Sequence, residues 1–121
     1  MLAELFAEKR RPPEDLWSGF LVSSRLLTYE VWAKLHSLGL GESLAEEAVS
    51  ILELLSILEL DPPVLARALE PFPRPIRALD AMHLASADFL RRQGQDVQIA
   101  TYDMRMGEAA HAMGFEIYPL N

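Results

Sequence analysis

The sequence predicts an α/β fold, in which a three-layer parallel sheet is flanked by helices on both faces. Short apolar runs of strand length alternate with longer segments whose apolar residues recur at helical spacing, and this alternation is typical of a parallel sheet. At 121 residues, the chain has room for a single domain, over residues 1–121, with a sizeable core. Half of the residues are hydrophobic and 24% are charged, which is the composition of a globular protein.

The helical spacing of the apolar residues, together with the glycines and prolines between segments, predicts six helices. We expect them at residues 1–10, 25–38, 44–55, 64–69, 77–92 and 104–113. Gly39, Gly94 and Gly114 follow three of these segments, where a glycine commonly ends a helix. Ser43 and Asp61 precede two others and are expected to cap them.

Four short apolar runs are expected to form the strands between these helices. They lie at residues 19–22, 57–60, 97–100 and 115–118. The first is read as a buried strand that leads through Ser23 and Ser24 into a helix. Residues 71–75 contain three prolines, and these exclude regular structure across that segment.

Composition and charge exclude several classes of protein. A net charge of −7 with a pI near 4.9 argues against a nonspecific polyanion binder covered in Lys and Arg. The absence of cysteine excludes a disulfide scaffold and a thiolate zinc site. No apolar stretch approaches the length of a membrane span, and no basic leader with an apolar run opens the chain. We therefore expect a soluble, cytoplasmic protein with no membrane partner.

Polar residues that follow the predicted strands are the candidates for a functional site, because ligands of open parallel sheets bind beyond the carboxyl ends of the strands. Ser24 ends the first strand and Glu30 lies in the first two turns of the next helix. Asp80 lies in the first turn of the helix at 77–92, and Asp103 follows the third strand after Thr101. Converging carboxylates repel one another unless a cation lies between them.

A divalent metal is the usual cation at such a cluster. Mg²⁺ and Mn²⁺ take oxygen ligands and suit a carboxylate site without cysteine better than zinc does. Such an ion can activate a water molecule and stabilise the oxyanion of a phosphodiester under attack.

Each candidate also has a purely structural interpretation, and spacing alone leaves both open. An acid such as Asp80 in the first helical turn is stabilised by the helix macrodipole. Asp103 is placed to cap the helix that follows it, and Glu30 could be a solvated helix residue. His83, three residues after Asp80, is better explained as a packed, hydrogen-bonded side chain than as a ligand or base.

The two basic doublets, Arg10-Arg11 and Arg91-Arg92, have two interpretations as well. We expect each to be a solvated helix end, and contact with RNA phosphates is the alternative.

Three segments of the chain resemble the PIN domain, and in particular the small toxin ribonucleases of VapC type. They are Ser-Ser-Arg-Leu-Leu-Thr-Tyr-Glu-Val-Trp at 23–32, Arg-Ala-Leu-Asp-Ala-Met-His-Leu-Ala-Ser-Ala at 77–87, and Thr-Tyr-Asp at 101–103. Their order and spacing agree with the family across nearly the whole chain, and the middle segment is the most specific. The resemblance implies a parallel sheet flanked by helices and metal-dependent cleavage of RNA.

The resemblance also implies roles for individual residues and a set of partners. By motif position, Glu30, Asp80 and Asp103 correspond to the second, third and fourth acids of a pocket that binds Mg²⁺ or Mn²⁺. Ser24 and Thr101 correspond to supporting hydroxyls, and His83 falls on a structural position of the motif. The family further implies a homodimer and a cognate antitoxin protein that covers the acidic pocket, with an Arg or Lys reaching the carboxylates.

The start of the chain departs from the family pattern. PIN domains open with a hydrophobic strand that ends in the first metal-binding Asp, whereas residues 1–6 resemble the helix that follows this strand. We therefore expect this chain to lack the first, central strand and the first acid. Three explanations are open: a natural protein that is longer, with Met1 internal to it; a shortened, inactive relative; or a strand that a partner chain supplies. Glu4 and Glu8 are not expected to substitute for the acid, because both fall within the helix predicted at residues 1–10.

Two alternatives to a ribonuclease remain from the sequence. The first is a catalytically inactive PIN-fold binding module that keeps partner contacts through exposed Leu and Trp side chains. The second is a phosphate-accepting signalling receiver, which would have an acidic pair after its first strand and a Lys after its last; residues 115–121 contain no Lys.

Overall fold

The structure is a computed structural model, and it describes residues 14–120. The chain divides after Leu58 into two compact units, so that the described residues fall into a first unit over 14–58 and a second over 59–120. The helix expected at residues 1–10 and the doublet Arg10-Arg11 lie outside the described residues.

The first unit contains two helices and one pair of strands. A short 3-10 helix, Glu14–Ser18, precedes them. The elements that follow are β1 (Val22–Ser24), α1 (Leu26–Ser37), α2 (Ala45–Glu53) and β2 (Ser56–Leu58). β1 and β2 are parallel, with Val22 opposite Ser56 and Ser24 opposite Leu58.

The core of the first unit forms between α1 and α2. Val31 and Leu35, four residues apart on α1, are buried together with Ala48 of α2. Leu35 has no exposed surface, and burying a side chain of this size contributes about 2 kcal/mol. The partly buried Trp17 and Trp32 pack against this core.

The second unit contains three helices and a second pair of strands. Its elements are α3 (Pro62–Ala68), α4 (Ala78–Arg92), β3 (Gln98–Ile99), α5 (Met104–Ala112) and β4 (Glu116–Ile117). β3 and β4 are parallel, with Gln98 opposite Glu116 and Ile99 opposite Ile117. The core is formed by α4, α5 and the residue before β4, and its buried members are Leu84, Ala87, Ala109, Ala110 and Phe115.

The predicted α/β class and the parallel strand pairing are confirmed. All four predicted strands and the five helices predicted after residue 13 are present, in the predicted order. Residues 71–75 form neither helix nor strand. Gly39, Gly94 and Gly114 have φ angles of 71°, 92° and 89°, and this left-handed conformation explains why a glycine ends each of the three helices.

The first strand differs from its prediction. It begins at Val22 rather than at residue 19, and Phe20 is 83% exposed. The buried end of the strand is Ser24, which is 2% exposed. The strand position predicted from the apolar run is therefore wrong, because the pairing with β2 includes Ser23 and Ser24 and excludes Phe20.

Neither Ser43 nor Asp61 forms the capping hydrogen bond expected of its side chain. The N-cap of α2 is Leu44, and the Ser43 hydroxyl instead donates a hydrogen bond to the carbonyl oxygen of Leu40 at 3.4 Å. Asp61 does occupy the N-cap position of α3, but its side chain makes no capping hydrogen bond. The two residues after Asp61 are prolines, which offer no amide hydrogen for a carboxylate to accept.

None of the helices within residues 14–120 combines the length and the apolar character that a membrane crossing requires.

Candidate functional site

Ser24 and Glu30 lie in the first unit, where β1 leads directly into α1. The buried Ser24 is the last residue of β1, and the amide of Arg25 donates a hydrogen bond to the carbonyl oxygen of Leu58 at 2.8 Å. This bond extends the pairing with β2 to the first turn of α1. Glu30 is partly buried in the second turn of α1, beside the buried Val31.

Asp80 lies in the second unit, at the third residue of α4. The N-cap of this helix is Arg77, whose backbone is extended, and the helix begins directly after the proline-rich segment. Asp80 is partly buried and precedes a helix face that is buried at Ala81 and Leu84. An acid at this position is stabilised by the helix macrodipole. His83, one turn further on, is partly buried.

Asp103 is the N-cap of α5, as its structural interpretation predicted. Its Oδ1 atom accepts hydrogen bonds from the amides of Arg105 at 2.9 Å and Met106 at 3.3 Å. The Thr101 Oγ1 atom in turn accepts a hydrogen bond from the Asp103 amide at 3.0 Å. Thr101 therefore fixes the backbone that carries Asp103. Because both capping bonds end on Oδ1, the cap leaves Oδ2 available for another interaction.

The helices that carry Asp80 and Asp103 run in the same direction. In the last turn of α4, the Arg91 Nη1 atom donates a hydrogen bond at 2.8 Å to the carbonyl oxygen of Met113, the C-cap of α5. Leu84 and Ala87 from the middle of α4 share one core with Ala109 and Ala110 from the C-terminal half of α5. Because the C-terminal ends meet and both helices extend back from them through this core, we infer that the N-terminal ends of α4 and α5 lie at the same end of this unit.

Asp80 and Asp103 lie at similar separations along the chain from the two residues of this contact. Asp80 precedes Arg91 by 11 residues, and Asp103 precedes Met113 by 10. At about 1.5 Å of rise per residue, the two acids lie roughly 16 Å and roughly 15 Å along their helices from the hydrogen bond that joins Arg91 to Met113. The second unit therefore presents two acids at one end, and this end is the candidate functional site.

A buried ion cluster occupies another part of the second unit, and sequence reasoning missed it. Asp88 of α4 is 3% exposed. Its carboxylate accepts hydrogen bonds from Arg67 Nε at 2.6 Å and Arg91 Nη2 at 2.8 Å, and Arg92 Nη2 lies 3.2 Å away. The guanidinium groups of Arg67 and Arg91 also lie over the rings of Phe72 and Phe115. We call Asp88 and its three arginines the Asp88 cluster.

The Asp88 cluster sets the ionisation of its carboxylate. Burial by itself would raise the pKa of Asp88, but the hydrogen bonds from Arg67 and Arg91 and the nearby charge of Arg92 lower it, and the net pKa lies below the ordinary value of 3.8. The spacing of Asp88 to Arg91 and Arg92, at i+3 and i+4, is a signal that could have predicted part of the cluster. Arg67 could not be predicted, because it lies 21 residues away.

The expectation that Arg91-Arg92 is a solvated helix end is wrong for Arg91. Arg91 is partly buried, with its guanidinium 3.9 Å from the centre of the Phe115 ring. Arg92 is exposed, and it is held by Asp88 and by Glu70 at 3.6 Å. Both arginines therefore make contacts that stabilise the fold.

The donor chemistry of the candidate site suits a hard divalent cation, although the donor set is small. Over the part of the chain that the structure describes, no three His, Asp or Glu side chains form a group that could hold a metal. Asp80 and Asp103 supply carboxylate oxygens from one end of the second unit. Mg²⁺ commonly binds through one or two carboxylates together with water and substrate phosphate, and carboxylate oxygens are the donors that these two acids supply.

Comparison with known proteins identifies the family. The profile of the PIN domain matches residues 3–112, which includes every element described above except β4, and the chain belongs to the PIN domain family. Ribonuclease VapC46 of Mycobacterium tuberculosis (strain ATCC 25618 / H37Rv) is 36% identical over 115 residues, an alignment that covers 89% of this chain and 85% of VapC46. The search of solved structures found no significant match. The predicted resemblance to VapC-type PIN domains is thereby confirmed.

Proposed function

We propose that this protein is a metal-dependent endoribonuclease of PIN type, the toxin of a type II toxin–antitoxin system. The observation that carries the proposal is the placement of Asp80 and Asp103 at one end of the parallel helices α4 and α5, in a chain that belongs to the PIN family. The similarity to a protein named ribonuclease VapC46 supports RNA as the substrate.

Glu30, Asp80 and Asp103 are the proposed metal-binding acids, and the metal is Mg²⁺ or Mn²⁺. When bound, such an ion supplies Lewis acidity toward the phosphate and lowers the pKa of a water molecule. The three acids supply hard oxygen donors and do not shuttle protons. Ser24 and Thr101 support the site, and Thr101 does so by accepting the hydrogen bond from the Asp103 amide.

The proposed partners follow from the toxin role. A cognate antitoxin covers the carboxylates and brings an Arg or Lys to them, because a charge-assisted hydrogen bond to a carboxylate is stronger than a neutral one. The toxin acts in the cytoplasm, where its RNA substrate lies, and is proposed to be a homodimer.

Cleavage of a labelled single-stranded RNA in the presence of MnCl₂ tests the proposal. The wild-type chain should cleave, while Asp80→Asn and Asp103→Asn should each reduce the rate at least 100-fold, since each substitution removes a charged ligand. Asp96→Asn is the matched control, because Asp96 is exposed and lies beyond the C-terminal end of α4, away from Asp80. Equal rates for Asp80→Asn and Asp96→Asn would contradict the assignment of Asp80.

A noncatalytic PIN-fold binding module is the second candidate function. The small donor set favours it, because no three candidate ligands form a group within residues 14–120. This function predicts that the wild-type chain does not cleave RNA with either metal and still binds its antitoxin.

A further inference from the structure

Two exposed arginines flank the candidate acids at the N-terminal ends of α4 and α5. Arg77 is the N-cap of α4, three residues before Asp80, and Arg105 is the second residue of α5, two residues after Asp103. Both side chains are exposed. Within residues 14–120, the structure records no ion pair for either of them.

The helix dipole does not favour a cation at either position. The N-terminal end of a helix carries a partial positive charge, so that a cation there is repelled and an anion is attracted. Arg91 and Arg92 show the opposite arrangement, since they lie in the last turn of α4 and bind Asp88. Arg77 and Arg105 thus lack the favourable helix position that the other two have, and within residues 14–120 they also lack an acidic partner.

Both arginines lie at the end of the second unit that carries Asp80 and Asp103, because α4 and α5 are parallel. This matters for a chain with a net charge of −7, whose overall field repels a polyanion. An RNA strand that approaches the two carboxylates requires local positive charge beside them. Guanidinium groups are suited to this role because their planar donors bind phosphate oxygens in pairs.

We propose that Arg77 and Arg105 bind phosphate groups of the RNA strand and hold it across the candidate site. The proposal rests on the ribonuclease function proposed above and assigns the residues that recognise the substrate backbone. Contacts of this kind are independent of sequence, so these two arginines contribute to affinity and leave the choice of cleavage sequence to other groups.

Binding of a fluorescein-labelled single-stranded RNA tests this assignment. Anisotropy is measured in EDTA over a series of salt concentrations, for wild type, Arg77→Gln, Arg105→Gln and the double variant. Each phosphate contact on a single strand contributes about 0.7 to the slope of log K against log salt. Each single variant should therefore lower the slope by about 0.7, and the double variant should lower it by about 1.4.

Arg92→Gln is the matched control, since it removes an exposed arginine from the opposite end of α4. It should leave the RNA affinity and the salt slope unchanged and should lower the thermal midpoint, because it weakens the Asp88 cluster. Arg77→Gln and Arg105→Gln should leave the thermal midpoint equal or higher, because each removes an unfavourable charge from a helix N-terminus. A merely structural role for the two arginines would lower it.

The outcomes separate this assignment from the proposed function. If wild type cleaves RNA and both variants keep the wild-type salt slope, the role of the arginines is overturned and the proposed ribonuclease function is retained. A partner with acidic side chains would then be the better ligand for the two arginines. Absence of cleavage together with reduced slopes would overturn catalysis and support the phosphate contacts. No RNA binding by wild type would overturn the assignment outright.

Discussion

Asp88 is the charged residue with the most demanding environment among those described. Its buried carboxylate satisfies two arginine hydrogen bonds and lies beside a third guanidinium. Isolating a charge in a protein interior costs far more than the net gain from pairing it, so each member of the Asp88 cluster depends on the others. The cluster joins α3 to α4 through Arg67, and it joins α4 to the segment before β4 through Arg91 and Met113.

Asp88→Asn should destabilise the second unit strongly. The amide cannot neutralise three guanidinium groups, and the buried Arg67 would keep as its counter-ion only Glu70, which is half exposed and 3.5 Å away. Removing one partner of a buried ion pair costs about 3 kcal/mol, a large part of the stability of a small domain. Urea denaturation measures the loss, and Asp96→Asn, an exposed control, should change stability by less than about 0.5 kcal/mol. Equal stability of the two variants would contradict the role given to the cluster.

The Asp88 cluster also predicts how stability depends on pH. Because the folded pKa of Asp88 lies below its ordinary value, the unfolded chain takes up the proton first as pH falls. The stabilisation is complete above about pH 5 and is lost as pH falls through the unfolded pKa of about 3.9 toward the folded one. The difference in thermal midpoint between wild type and Asp88→Asn should shrink below about pH 4. A difference in thermal midpoint that grew at low pH would show that folding raises the pKa of Asp88 rather than lowering it.

At the scale of elements, the glycines of the second unit have contrasting roles. Gly94 ends α4 at a φ of 92°, with nothing within 4 Å of the position a Cβ would occupy. Gly107 lies inside α5, and a Cβ there would meet only Thr101 Cγ2, at the ordinary contact distance of 3.9 Å. The first glycine is required by backbone conformation, whereas the second weakens its helix.

Alanine substitutions should therefore have opposite effects at these two positions. Gly94→Ala should lower the free energy of unfolding by about 1 kcal/mol, because an L-residue is strained at this φ. Gly107→Ala should raise it by about 0.5 to 1 kcal/mol, since alanine restricts the unfolded chain and favours the helix. Chemical denaturation of both variants checks the pair, and a loss of stability in Gly107→Ala would mean that α5 has no room for the methyl group.

At the scale of the whole molecule, the elements were predictable because each carries local signals. The helical spacing of Val31 and Leu35 and the glycines that end three helices depend only on near neighbours in the chain. Strand ends were less predictable, since Ser24 belongs to β1 only through its pairing with Leu58 of β2. Arg67 and Asp88 are brought together by the fold, and no local pattern reports a contact across 21 residues.

The candidate site also has some features that the local sequence predicts and others that depend on the fold. Thr101 and Asp103 could be predicted as neighbours at a strand end, and the helix cap that Asp103 forms was one of its two interpretations. The sequence could not predict that Asp80 and Asp103 lie at the same end of the second unit, because this depends on the parallel packing of α4 and α5. The sequence did not predict a role for Arg77 and Arg105. Their proposed role is inferred from their positions at helix N-termini and from the ion pairs that they lack within residues 14–120.

The central claim is that Asp80 belongs to a carboxylate site for a divalent cation. Isothermal titration calorimetry of the wild-type chain with MnCl₂ tests it most directly, with Asp80→Asn and Asp96→Asn titrated in parallel. The account predicts a saturable heat of binding for wild type and Asp96→Asn, and none above dilution for Asp80→Asn. The same isotherm for wild type and Asp80→Asn, or no binding heat in any of the three proteins, would contradict it.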